Sequence, residues 1–305
     1  MKKILVTGAN GLLGQKIIYG YKNNPEVQLI GTGRGPCRMD DKEGYVYEEM
    51  NISDKASVLA VLEKHAPDVI INSAAMTNVD ECETNKAGCD EANVTAVKIL
   101  ASACEELNIH LIQLSTDFIF DGKDGPYDEE AEADPLSYYG WSKLRAEEIV
   151  KTCTCKWTII RTVLVIGITE GMSRSNIVLW AKGALNQGQT INVVNDQFRS
   201  PTLAEDLADG CMLAAIQGAE GVYNISGKDF MSVLELVQRV AKFYKLDESL
   251  IKPSTSEKLN QPAKRPPITG FILTKAINEL GYKPHSFEEA LAVMQKQIDF
   301  YETNN

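Results

Sequence analysis

No apolar run in the 305 residues approaches the ~18 that a membrane-spanning helix requires, so none is expected. Histidine is scarce, and His65, His110 and His285 stand far apart. Cysteine occurs seven times, an odd number at irregular spacing, and Cys153-Thr154-Cys155 is the only close pair. A tetrahedral metal site needs more ligands than that, so no metal is expected. The same pattern is not a disulfide framework and points to a reduced, cytoplasmic compartment. Basic residues are in deficit, 31 against 42 acidic, and the formal net charge is −11. Nucleic acid and anionic membrane surfaces are therefore not expected as partners, although a local basic pocket could still take a small anion. The early apolar run Ile4-Leu5-Val6 is too short for a secretory signal, and no targeting segment is expected. Repeats and low-complexity tracts are absent as well. What remains is ordinary globular matter, 44% hydrophobic and 24% charged, enough for a core.

The first half alternates short apolar runs with helical patterns. Strands are expected at Lys3–Thr7, Val27–Thr32, Tyr45–Met50, Asp68–Ser73, His110–Ser115 and Trp157–Arg161. Helices are expected at Leu12–Tyr21, Lys55–Lys64, Cys89–Leu107 and Tyr139–Val150. Runs such as Val69-Ile70-Ile71 are apolar on both faces, as in a parallel sheet covered by helices on both sides. The fold class is therefore α/β, a doubly wound parallel (Rossmann) sheet. The later half is less regular, with helices expected at Asn176–Asn186, Leu203–Ile216, Ser232–Tyr244 and Phe287–Tyr301. Strands are expected there at Thr190–Val194 and Gly221–Ile225, and the proline-bearing segment Lys252–Pro267 reads as loop. The division expected is a dinucleotide-binding domain over 1–165 and a smaller α/β substrate lobe over 166–305. Segments around 190–225 are expected to return to the first domain.

After the first strand the chain reads Thr7-Gly8-Ala9-Asn10-Gly11-Leu12-Leu13-Gly14. Gly8 permits a tight turn, Gly11 lets backbone approach a pyrophosphate, and Gly14 lets the following helix pack close to the sheet. The N–H groups of the turn and helix start, from Asn10 through Leu12 and Leu13, then face the anion. Sites selective for NAD carry an acid about 20 residues further on, at the end of the second strand. Here that strand ends Gly31-Thr32-Gly33-Arg34-Gly35, with Arg38 nearby and no acid before Asp40. An arginine suits a 2′-phosphate, so Arg34 favours NADP(H), with NAD(H) as the lesser alternative.

Three further features converge. Thr116 follows the strand His110–Ser115, at the carboxyl end where open α/β sheets bind ligands. Tyr139 and Lys143 are four apart on an expected helix, so phenol and ammonium share a face. A neighbouring ammonium lowers a phenol's pKa toward useful acid–base chemistry. Asn72-Ser73-Ala74-Ala75 ends a buried strand with small side chains, which let a flat cofactor approach.

Taken together, TGANGLLG at 7–14, PDVIINSAAMTNVDEC at 67–82, LSTDFIFDG at 114–122, the segment from Pro126 to Lys143, Arg161-Thr162, DQFRSPTLAEDL at 196–207 and Gly221–Gly227 resemble the extended short-chain dehydrogenase/reductases. Within them the resemblance is to the dTDP-4-dehydrorhamnose reductase family, and it spans most of the chain. It implies NADPH-dependent reduction of the 4-keto group of a nucleotide-linked deoxysugar. Tyr139 would be the proton donor, Lys143 would lower its pKa and bond the nicotinamide ribose, and Thr116 would hold the carbonyl oxygen. The resemblance also puts Asn51 and Ile52 near the adenine and Ser73, Ala74, Ala75 and Met76 along the cofactor groove. Thr77, Asp117, Phe118, Asn176 and Arg199 would face the substrate, although Arg199 also reads as a solvated surface residue.

Three positions depart from the family pattern. Phe118 stands where a tyrosine is usual, Leu164 where a tryptophan often stacks near the substrate, and Arg199 where glycine is usual. All three belong to the substrate side, where gaining or losing one polar group changes selectivity sharply. Phe118 also replaces the glutamate that related dehydratases carry after Thr-Asp, and Arg34 weighs against an epimerase that recycles bound NAD. The chain further resembles the regulatory subunit of methionine adenosyltransferase, so an NADP-binding subunit without turnover is the alternative from another class. A homodimer is expected only because most soluble assemblies are symmetric.

Overall fold

Alternation along each strand decides how the molecule is layered. In a computed structural model, which describes residues 1–171, 175–259 and 261–304, the first half runs β1 (Lys2–Thr7), α1 (Leu12–Tyr21), β2 (Val27–Gly33), β3 (Val46–Glu49), α2 (Lys55–His65), β4 (Val69–Asn72), α3 (Val79–Thr84), α4 (Lys86–Asp90), α5 (Ala96–Leu107), β5 (His110–Thr116), α6 (Tyr138–Lys151) and β6 (Trp157–Thr162). The second half runs β7 (Val165–Ile166), α7 (Ile177–Asn186), β8 (Ile191–Val194), β9 (Phe198–Arg199), β10 (Thr202–Leu203), α8 (Ala204–Gln217), β11 (Gly221–Asn224), β12 (Met231–Ser232), α9 (Val233–Tyr244), β13 (Ile251–Ser254), β14 (Ile268–Thr269) and α10 (Phe287–Asn304).

Seven strands form one parallel sheet in the order β11-β6-β5-β4-β1-β2-β3. Ile4, Val6 and Ile71 point to one face, where α1 and α8 cover them with Ile17, Ile18, Leu207 and Cys211. Leu5 and Ile70 point to the other, against Val58 and Leu62 of α2, Leu100 of α5 and Val150 of α6. Successive side chains on a strand alternate faces, so one buried strand feeds two cores. This is the doubly wound α/β fold. Its strand order reverses between β1 and β4, which opens a crevice at the carboxyl ends of those two strands.

The second lobe packs α7, α9 and α10 around the two-stranded pair of β8 and β13, with Val178, Ile191, Val237 and Leu291 in its core. Two expectations change here. The strand near 190 does not return to the central sheet. Its Ile191 and Val193 bury into the lobe, and within that stretch the return is made by α8 and β11. Part of the segment expected to be loop, Lys252–Pro267, is strand β13, with Pro253 opposite Val193. A proline that cannot donate is tolerated there because β13 is paired on one side only. Asn260 of that segment lies outside the described residues.

The expected helix Cys89–Leu107 is continuous but not α-helical throughout. The chain enters through α4, widens into a π-type turn over Glu91–Thr95, and continues as α5.

Candidate active site

At the end of β1, Gly8 turns with φ +65° and accepts from the Gly11 amide at 2.8 Å. Gly11 is the N-cap of α1 and makes no side-chain capping bond, so no side chain occupies the anion-binding position at that helix start. A Cβ on Gly14 would lie 2.4 Å from the Gly8 carbonyl oxygen and 2.6 Å from Ala9 Cα. The turn is therefore folded down onto the helix, leaving its outer side open. These features fit a dinucleotide pyrophosphate.

The crevice has a second wall. The Ser73 hydroxyl donates to the Thr7 carbonyl at 2.6 Å, and the Ala74 amide donates to Thr7 Oγ1 at 3.2 Å. A row of buried polar groups continues across the strand ends. Thr7 Oγ1 donates to Asn72 Oδ1 at 2.6 Å, and Asn72 Nδ2 donates to Gln113 Oε1 at 2.8 Å. Ala75 and Met76 follow, half-buried, and Thr77 is exposed. Asn51 is exposed past β3, where its amide donates to Ser57 Oγ, and half-buried Ile52 packs toward the α2 side of the core.

Asn10 has a task that its motif position did not reveal. Its side chain donates to the Pro36 carbonyl at 3.1 Å and to Tyr47 Oη at 2.9 Å, and accepts from the Arg38 amide at 2.8 Å. It thereby ties the Arg34–Arg38 loop to the glycine turn. Both guanidinium groups are exposed at the crevice end of β2.

Thr116 closes β5, and helix α6 begins with Ser137, whose hydroxyl accepts from the Gly140 amide at 3.2 Å. A Cβ on Gly140 would lie 2.2 Å from the Phe118 carbonyl oxygen, so only glycine lets α6 settle against the turn after Thr116. That contact brings Tyr139 to the Thr116 hydroxyl, with Lys143 one turn further along α6. All three are buried, and the rings of Tyr139 and Phe118 meet edge to face at 5.8 Å. Burial raises the Tyr139 pKa above its ordinary value, the Thr116 hydroxyl pulls it down, and the Asp117 charge adds to the rise. Burial lowers Lys143 to about 8, opposed by the charge of Glu147. Lys143 Nζ donates to the Leu114 carbonyl at 2.6 Å. Glu147, one turn further along α6, receives two bonds from Arg161, at 3.0 and 2.8 Å.

Beside this group opens a cleft of about 580 Å³, whose wall includes Asp117, Phe118, Leu164, Asn176, Trp180 and Arg199. Thr77 is not part of that wall. Asn176 spends its amide on structure, capping α7 through the Val178 and Leu179 amides and donating to Gly167. Arg199 is not a solvated surface residue, being 4% exposed. It donates to the carbonyls of Phe198, Pro266 and Pro267, with Nε 3.8 Å from Asp117 Oδ2. Strand β14 pairs with β9 and brings Thr269 to the same carboxylate, whose Oδ2 accepts from Thr269 Oγ1 at 2.5 Å. Burial raises the Asp117 pKa, while Arg199, Thr269 and Thr116 oppose the rise.

The sequence reading did not single out Asn93. It sits in the π-type turn, bonds both the N–H and the C=O of Met76 at 2.8 and 3.0 Å, and donates to Ser142 Oγ at 3.0 Å. It thus joins the cofactor wall to α6. The available signal was an amide on the buried face of an apolar helical stretch.

A glycine turn at the strand-order reversal, followed by a Thr–Tyr–Lys group at the next strand end, defines a nucleotide-binding protein of the extended short-chain dehydrogenase/reductase type. The family described as RmlD substrate binding domain matches residues 1–300, and the chain belongs to it. It is 28% identical over 298 residues to the probable low-salt glycan biosynthesis reductase Agl14 of Haloferax volcanii, covering 97% of this chain and 98% of that protein. It is 30% identical over 271 residues to the methionine adenosyltransferase 2 subunit beta of Danio rerio, covering 87% and 81% respectively. Its fold is similar to that of a dTDP-4-dehydrorhamnose reductase from Bacillus anthracis in complex with NADP, with a TM-score of 0.82, 25% identity, and coverage of 97% of this chain and 100% of that one.

Proposed function

We propose that this protein is an NADPH-dependent reductase acting on the 4-keto group of a nucleotide-linked deoxysugar of the dTDP-4-dehydrorhamnose kind. The observation that carries the reading is the bond between Thr116 and Tyr139, with buried Lys143 one turn further along α6, next to Asp117 and Phe118 of the open cleft wall. The dinucleotide, when bound, supplies the hydride. Tyr139 donates a proton to the oxygen that becomes the new hydroxyl. Burial keeps the phenol protonated until it is needed, and the Lys143 ammonium stabilises the phenolate left behind. Thr116 holds the same oxygen by a hydrogen bond and orients the sugar.

The cofactor side of the reading assigns the pyrophosphate to Gly8, Asn10, Gly11, Leu12, Leu13 and Gly14. It assigns the adenine to Asn51 and Ile52, and the nicotinamide half to Ser73, Ala74, Ala75 and Met76. Arg34, held beside the turn through the Asn10 bonds, meets the 2′-phosphate and favours NADP(H). The NADP complex of the Bacillus anthracis relative supports the choice. Residues 1–165 hold the dinucleotide and most of 166–305 holds the nucleotide-sugar. There Asp117, Phe118 and Arg199 face the sugar and its phosphates, with Thr77 and Asn176 at their margin. A cytoplasmic homodimer completes the proposal, and seven unpaired cysteines favour a reducing compartment.

The test is NADPH oxidation by purified protein with dTDP-4-dehydrorhamnose made in situ. Oxidation is expected, falling on the order of 10²-fold or more in Tyr139→Phe with NADPH affinity retained. A second reading, an NADP-binding subunit without turnover, rests on the 30% identity to a methionine adenosyltransferase subunit. It expects tight NADPH binding and no oxidation across a panel of nucleotide-sugars.

A further inference from the structure

The loop after β2 carries two guanidinium groups that are free to meet a phosphate. Arg34 and Arg38 are exposed, and among the described residues neither guanidinium makes a hydrogen bond or an ion pair. Long side chains on an unfixed backbone bind a phosphate weakly, because association must then order the backbone as well. The near part of the loop is tied by the first domain. Asn10 bonds Pro36 and Arg38, and Tyr47 Oη donates to the Gly35 carbonyl at 2.8 Å. The far part is tied by the second lobe. Glu170 follows β7, and its Oε2 accepts from the Asp40 amide at 2.8 Å, across 130 positions of the chain.

That carboxylate is itself held from α1. Its Oε2 also accepts from Tyr19 Oη at 2.8 Å. Buried Gln15 accepts from the Glu170 amide at 3.1 Å and donates to the Glu170 carbonyl at 3.1 Å. Gln15 Nε2 donates as well to the Asn10 carbonyl of the glycine turn at 3.2 Å. Gln15 and Tyr19 are four apart, so both meet Glu170 from one face of α1. Burial, then the bond to Glu170 and its charge, raise the Tyr19 pKa, so the phenol stays a donor. Turn, helix and loop thus converge on one half-buried residue. Buried Met39 gives the loop an apolar anchor, and Glu170 supplies the polar one beside it. The ion pair of Lys22 with exposed Asp41 adds little. A negative charge in this region opposes a phosphate, so what Glu170 offers the cofactor is placement.

We propose that Glu170 is a positioning residue for dinucleotide choice: from the second lobe it fixes the Arg34–Arg38 loop where a 2′-phosphate is read. The proposal rests on the NADP(H) reading above and adds the residue that makes those arginines selective.

Affinities for NADP+ and NAD+ are measured by calorimetry, with thermal unfolding alongside, in the wild type and in variants at Glu170, Tyr19, Arg34 and Arg38. The wild type should prefer NADP+. Glu170→Ala should weaken NADP+ about tenfold and NAD+ less than about twofold, on the scale of one lost charge-assisted bond. Glu170→Gln keeps an acceptor oxygen for the Asp40 amide and Tyr19, so most of the NADP+ affinity should remain. In a protein already carrying Arg34→Ala and Arg38→Ala, Glu170→Ala should change NADP+ affinity little, because it acts through those side chains. Tyr19→Phe removes one donor and keeps the ring, so selectivity should fall in the same direction by less; it serves where Glu170→Ala does not fold. A merely structural residue would weaken both dinucleotides together. Equal weakening of both, or unchanged selectivity, overturns this proposal and leaves the reductase reading intact. A wild type that prefers NAD+, or binds neither dinucleotide, overturns the cofactor reading as well.

Discussion

Gly14 and Gly20 lie on the same helix and carry opposite expectations. A methyl group at Gly14 would meet the Gly8 carbonyl at 2.4 Å, a backbone atom of the turn itself, whereas one at Gly20 meets nothing within 4 Å. Gly14→Ala should therefore displace the phosphate turn, costing NADP+ affinity at least about tenfold and lowering the melting temperature, because overpacking against backbone is not absorbed by rotamer changes. Gly20→Ala should instead stabilise by roughly 0.5–1 kcal/mol, through helix propensity alone, with affinity unchanged. Calorimetric titration and thermal unfolding of the two variants side by side check both. A Gly14→Ala protein that bound NADP+ normally would detach the turn from the cofactor. Arg199 illustrates the same scale. A charged residue in place of the family's glycine is accommodated because three backbone carbonyls and Asp117 surround it.

Helix α6 places Tyr139, Lys143 and Glu147 on one buried face at intervals of four, so the proposed catalytic pair and its counter-charge form one line. Glu147 is fully buried and shared between Arg161, Lys151, which donates to its Oε2 at 3.2 Å, and the field at Lys143. Burial lowers Lys143 to about 8, and in the proposed mechanism its ammonium stabilises the phenolate, so reduction should slow as pH rises through and above that value. Removing the Glu147 charge takes away the influence that holds the Lys143 pKa up. In Glu147→Gln the alkaline limb of kcat/KM should therefore move to lower pH. Arg161, left buried with a weaker partner, should also cost stability on the order of 3 kcal/mol. A pH profile that stays in place while stability falls would make Glu147 a purely structural residue. The π-type turn before α5 works at this scale as well. Without the extra residue it admits, Asn93 would rotate away from Met76 and Ser142.

Across the whole molecule, the sheet buries polar as well as apolar groups, and its stability should depend on pH through one of them. His110, at the start of β5, bonds Thr158 Oγ1 at 2.8 Å, and that hydroxyl donates to the Ala219 carbonyl at 2.5 Å. The ring nitrogen must then be the donor in a neutral imidazole, and burial lowers the His110 pKa from 6.5 to about 4. The unfolded chain binds the proton more readily, so stability present above about pH 6.5 is lost as pH falls toward 4. The loss attributable to this group is at most about 3 kcal/mol. Urea unfolding at pH 7 and pH 5 should show a steeper decline in the wild type than in His110→Gln, and equal slopes would remove His110 as the cause.

The glycine turn, the covered strands such as Val69–Asn72, and the Tyr139/Lys143 pair were legible in order along the chain, because each rests on a local period or spacing. The buried state of Arg199, the opening of the helix at Asn93, and the pairing of β13 with β8 were not. Their partners lie tens of residues away: Pro266 for Arg199, Ser142 for Asn93, Ile191 for Ile251. Sequence alone thus determined most elements of the first half, the faces they bury and the chemical types at the strand ends. Which side chains meet was decided only by tertiary structure, since a local pattern specifies that a residue is buried, and the packed fold specifies against what.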